Sequence, residues 1–93
     1  MADNDEELIV SGDPGAESSI STLAAALIAA ERSIEQQQPS RVVLADDSDA
    51  ALAAAIAAVK FELPLLTWAG ARDRSTSNGR LIEQLATDLD FPG

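Results

Sequence analysis

The chain contains no cysteine and no histidine. The first absence excludes a disulfide framework, a thiolate nucleophile and a zinc ribbon. The second removes the commonest general base, the usual transition-metal ligand and the side chain that titrates near neutrality. Lysine is nearly missing, with Lys60 the single example, and the aromatics are Phe61, Trp68 and Phe91 alone. A core therefore has to be built from Ala, Leu, Ile and Val, which pack helices closely against a sheet but bury less area each. Long apolar runs are absent too. Leu23 to Ala30 and Ala50 to Val59 fall well short of the roughly twenty residues of a membrane span. The opening MADNDEE is acidic and has no apolar signal core, so the expectation is a cytoplasmic protein with no membrane association.

What is present is acid. Sixteen carboxylates face six basic residues, for a net charge of −10 over 93 residues. A phosphate backbone needs a basic face, so nucleic acid is excluded as an expected partner. The acidity reads first as a solubility surface of halophilic type, in which salt screens the mutual repulsion, and second as a surface for a basic partner. The 46% hydrophobic content is enough for one small globular core.

Met1 to Glu7 reads as an acidic tail that frays, and 8–93 as a single domain. Leu8 to Val10 is a short apolar run closed by the Ser11–Gly15 breaker segment, the mark of a first strand. From Ser18 to Gln38, the residues Ile20, Leu23, Leu27, Ala30 and Ile34 recur at helical spacing, with Ser18 or Ser19 as cap and Pro39 as terminator. Arg41 to Ala45 carries the unbroken β-branched run of a strand buried on both faces. Asp47 or Ser48 can cap an alanine-rich helix from about Ala50 to Lys60, with Leu52, Ala53, Ile56 and Val59 inward. Leu65 to Trp68 is a further strand and Ala69 to Ser77 a polar loop. A last helix, capped by Asn78, runs from Gly79 to about Leu89, with Leu81, Ile82, Leu85 and Leu89 inward. Leu89 to Phe91 is the start of one more short strand. Strands separated by helices of this length require crossover connections and a parallel sheet. The expected product is a small Rossmann-like α/β layer of two to four strands and about three helices. Open strand edges in so small a sheet motivate an expectation of self-association as a homodimer, or of a protein partner.

The order of these segments resembles the amino-terminal Rossmann domain of the non-hydrolysing UDP-N-acetylglucosamine 2-epimerases. That family has a Pro-Gly before a long helix, similar to Pro14-Gly15. It has a strand ending in Gly-Asp-Thr before an alanine-rich helix, similar to Val42–Ala45, Asp46-Asp47-Ser48 and LAAAIAAV. Its Pro-led strand and His-x-Glu-Ala-Gly-Leu-Arg motif look like Leu63-Pro64, Leu65-Leu66 and Thr67 through Arg72. Asn78, Arg80, Leu81 and Leu85-Ala86 match its next helix. The likeness runs from Leu8 to Phe91 but covers a minor part of the two-domain enzyme. It implies UDP-sugar binding, with Asp47, Ser48, Thr67 and Arg72 on the family's site positions. The departures are chemical. Asp46 replaces the glycine, Thr67 replaces the histidine, and the motif glutamate and the second domain have no counterpart. A site missing its proton-transfer acid and half its walls should not turn over. The implied function is a non-catalytic binding or assembly module needing no cofactor. The alternatives are a nucleotide-sugar or small-anion binder, or one subunit of a split enzyme.

Asp46, Asp47 and Asp49 have the donor type for a divalent cation, but three acids at a helix amino end are also capping chemistry, which is the favoured reading. Gly12 to Gly15 matches neither the dinucleotide fingerprint nor the P-loop and reads as a turn. Arg72, Arg74 and Arg80 form the one basic cluster, either an anion grip or surface ion pairs with Asp73 or Glu83. Trp68 reads as core or interface filler rather than a stacking platform. Ser18, Ser19 and Ser21 lack a neighbouring base, so nucleophilic catalysis is not expected.

Overall fold

The structure, a computed structural model, describes residues 7–12 and 18–89. Its elements alternate: β1 (Glu7–Val10), α1 (Ile20–Gln37), β2 (Arg41–Leu44), α2 (Asp49–Lys60), β3 (Leu65–Thr67), a 3₁₀ turn (Ala69–Arg72) and α3 (Ser77–Leu89). The three strands are parallel and lie in the order β1-β2-β3, with Leu8 opposite Val42 and Val42 opposite Leu65. This is the expected Rossmann-like layer. Glu7 belongs to β1 and to no tail; residues 1–6, Phe91 and the final strand suggested there lie outside the described residues.

The three helices cover one face of the sheet. Leu8, Val10, Val42, Leu44 and Leu65 point toward them and join one core with Ala30, Ile34, Leu52, Ile82 and Ala86. The alternate residues Ile9, Val43 and Leu66 take the other face. Among the described residues no helix packs there, and Ile9 is 53% exposed. The β2 run is apolar on both faces as expected, and Val43 is nevertheless buried between its strand neighbours.

The central element is α2. Ala51, Ala53, Ala54, Ala55, Ala57 and Ala58 are all buried, with Leu52, so this helix is enclosed nearly all round. Alanine is the side chain that lets α1 and α3 pack on its flanks and the sheet beneath it at once. Ser48 caps it, its hydroxyl accepting the Ala51 amide at 3.1 Å. Ser19 caps α1 in a reciprocal box with Thr22. α1 ends in a left-handed Gln38 (φ 47°) before the buried Pro39.

Four local expectations are corrected. Ile20, the first residue of α1, is 81% exposed rather than inward. Residues 69–72 form a 3₁₀ turn rather than a plain loop. Thr76, not Asn78, caps α3: its hydroxyl accepts the Gly79 amide at 3.0 Å. Asn78 lies inside the helix and serves a different purpose, described below. Leu81 is 51% exposed rather than inward, whereas Ile82 is buried and Leu85 packs against the core as expected, with Ala86 beside them.

Candidate functional site

The carboxyl ends of the parallel strands meet the amino ends of α1, α2 and α3 at the Asp46-Asp47-Ser48-Asp49 turn. In an open α/β sheet this is the ligand-binding edge. Here each carboxylate of the turn is engaged by the chain itself.

Asp46 accepts the Gly12 amide at 3.0 Å and the Ser48 amide at 3.0 Å, tying the end of β1 to the start of α2. Burial pushes its carboxyl up, but the Ser48 hydroxyl, with the Gly12 and Ser48 amides, outweighs this and lowers it below the usual range. Gly12 is required by close approach: a Cβ there would run into the Ser48 side chain. Asp47 accepts the Thr76 hydroxyl at 2.6 Å, and its carbonyl accepts the Asn78 amide group at 3.0 Å. Both bonds fasten the cap of α3 to the turn.

Asp49 is the hub. Its carboxylate accepts the Ser18 hydroxyl at 2.8 Å, the Ser19 amide at 3.0 Å, the Asn78 side-chain amide at 2.8 Å and a short bond from the Thr22 hydroxyl. One anion, on the first residue of α2, thus bonds to the amino ends of α1 and α3, where helix dipoles present positive potential. The Thr22 hydroxyl is the largest cause of a strongly depressed carboxyl; Asn78, Ser18 and Ser19 add to it against the opposing effect of burial. The capping reading of the acidic turn, favoured from sequence, is what the geometry displays. Sequence reasoning missed that the caps act across elements. Asn78, 29 residues from Asp49, gave no local signal for it.

Of the proposed ligand-binding residues, Asp47 and Ser48 stand at the end of β2, and Thr67 and Arg72 at the end of the adjacent β3. Arg72 Nε donates to the Thr67 hydroxyl at 2.7 Å, and both residues are half-buried. Ser48 is occupied as the α2 cap. The rest of the basic cluster divides. Arg74 pairs with Glu83 at 2.8 Å on the surface, and Arg80 donates to the Arg74 carbonyl at 3.0 Å. Trp68 is 54% exposed, so it is no core residue. Among the described residues no group of three or more acidic side chains is arranged to hold a metal ion, and no helix is long and apolar enough to cross a membrane.

One cavity lies at the opposite, amino-terminal edge of the sheet. It has a volume of about 320 Å³ and is lined by Ile34, Glu35, Gln38, Pro39, Phe61 and Leu63. Two left-handed residues, Gln38 and Glu62 (φ 60°), turn the chain around it. No reactive pair of side chains faces it.

Comparison with protein-family models, with curated proteins and with solved structures returned no match.

Proposed function

We propose that this chain is a non-catalytic binding or assembly module, a reduced Rossmann half-domain of epimerase-like descent. The observation that carries the reading is the self-satisfied acidic turn. Asp46, Asp47 and Asp49 stand at the edge where such folds bind ligands, and their oxygens accept hydrogen bonds from Gly12, Ser18, Ser19, Thr22, Ser48, Thr76 and Asn78. A catalytic carboxylate is poised to exchange a proton near its working pH. The Asp46 and Asp49 carboxyls, held below their usual range by several donors, are poised to stay ionised. Thr67 at the position of the family's histidine, and the missing glutamate, support the same conclusion. The test is direct: the purified chain, incubated with UDP-N-acetylglucosamine, yields neither the epimer nor free UDP. Turnover above the buffer rate by the pure protein overturns the proposal.

A second reading has one observation in its favour. The Arg72 guanidinium is held by Thr67 at the strand end beside Ser48, a geometry suited to a carboxylate or phosphate. Against it, the neighbouring aspartates repel an anion. Titration with UDP-sugars, followed by amide chemical shifts, separates the two readings. Unmoved signals from Asp47, Ser48, Thr67 and Arg72 at millimolar ligand end the binder reading. If the missing half of an epimerase site were supplied by another polypeptide, turnover would appear on mixing the two.

A further inference from the structure

The sheet is unfinished on its β1 side. In a parallel strand, the backbone groups of alternate residues point to opposite neighbours. The Ala45 amide donates to the Val10 carbonyl at 2.9 Å, so Val10 and Leu8 face β2. Glu7, Ile9 and Ser11 therefore turn their N–H and C=O groups to the free edge, where no described strand pairs with them. The apolar residues around this edge are also incompletely covered. Leu8, Val10, Leu23 and Leu27 are half-buried, whereas Val42, Leu44 and Leu65, their equivalents at β2 and β3, are fully buried. Ile9, Ile20 and Ile28 are exposed by more than half.

The position of α1 decides what fits there. α2 packs across all three strands, closest to β2, and α1 packs chiefly along α2 on the β1 side. Packed helix axes stand about 8–10 Å apart and strands about 4.8 Å, so α1 lies about one strand spacing outside β1. With these spacings it overhangs the free edge, and among the described residues no strand lies beneath it. A second copy added edge to edge about a twofold axis would bring its own α1 into the same space, and would set one net charge of −10 against another. A lone extended segment meets neither obstacle.

We propose that β1 accepts an extended, basic segment of a partner protein as a fourth strand. The proposal deepens the binding-module reading and rests on it. Main-chain bonds to Glu7, Ile9 and Ser11 supply affinity, and alternate apolar side chains fill the corner under Leu23 and Leu27. The intervening lysine or arginine side chains fall on the helix-free face, the face of Glu7 and Ile9, of a chain whose net charge is strongly negative.

The probe is a nine-residue peptide of alternating lysine and valine with blocked ends, titrated into the isotope-labelled full chain. The expected result is saturable binding, with the Ile9 and Ser11 amides exchanging at least about tenfold more slowly in the complex. The matching glutamate–valine peptide, and a fully backbone-methylated lysine–valine peptide of unchanged charge, leave those amides as they were. Equal binding by the methylated peptide means that charge alone is being measured and overturns the proposal. So does slowed exchange elsewhere with β1 unaffected, or a chain already dimeric through the Ile9 amide. The epimerase assay reads a different property: turnover removes the module reading, whereas a silent β1 edge removes this proposal alone.

Discussion

Asp49 is the residue on which the local chemistry turns. Its depressed carboxyl has a defined sign in pH dependence. A group whose pKa is lower folded than unfolded contributes stability that is fully present above the unfolded value, near 3.8. That contribution is lost as the pH falls through the folded value. Acid unfolding should therefore steepen below about pH 4 in the wild-type chain, and Asp49→Asn should flatten that limb, as followed by circular dichroism. Asp49→Ala at neutral pH should cost about 2–3 kcal/mol in urea unfolding, because it removes charge-assisted bonds from α2 to the starts of α1 and α3. Gly79 is as constrained by space as Asp49 is by charge. A Cβ there would run onto the Asp73 backbone, so Gly79→Ala should cost about 1–3 kcal/mol through displacement of the first turn of α3. Gln38, in contrast, is a non-glycine residue in the left-handed region. Gln38→Gly should stabilise the chain by about 1 kcal/mol, as relief of that conformation outweighs the added freedom of the unfolded state.

At the scale of elements, α2 and α1 are both alanine-rich and behave oppositely. Ala55 has no exposed surface, and Ala55→Leu should cost about 1–3 kcal/mol by overpacking. Ala24 lies on the exposed flank of α1, and Ala24→Leu should change stability by less than about 0.5 kcal/mol. The contrast was not legible in the sequence, since LAAALIAA and ALAAAIAAV have nearly the same composition. What separates them is position: α2 follows the middle strand and is flanked on both sides, whereas α1 is flanked on one. The strands themselves were legible, because Val42-Val43-Leu44 has no polar alternation and Pro64 fixes the start of the next. The cap of α3 was misplaced because Asn78 suits capping locally, and only the tertiary fold brings Asp47 and Asp49 within its reach. The acidic turn was legible as capping chemistry, but its partners lie about thirty residues away and leave no trace in local spacing.

For the whole molecule the dominant quantity is charge. The surface ion pairs Glu7–Arg41 and Arg74–Glu83 remove few of the sixteen carboxylates from mutual repulsion. Exposed pairs of this kind are worth little individually. We expect the melting temperature to rise between about 0.05 and 1 M sodium chloride, as the screening length falls to about 3 Å; calorimetry over that range checks it, and a flat or falling profile would remove the high-salt reading of the composition. The bracket at Asp49 has a kinetic counterpart. Because Asp49, on the first residue of α2, bonds to the starts of both α1 and α3, opening any of these three starts costs bonds that link it to another helix. Native-state amide exchange should therefore report one shared opening free energy across the three helices, and the domain should be cleaved by proteases in an all-or-none manner rather than trimmed inward helix by helix.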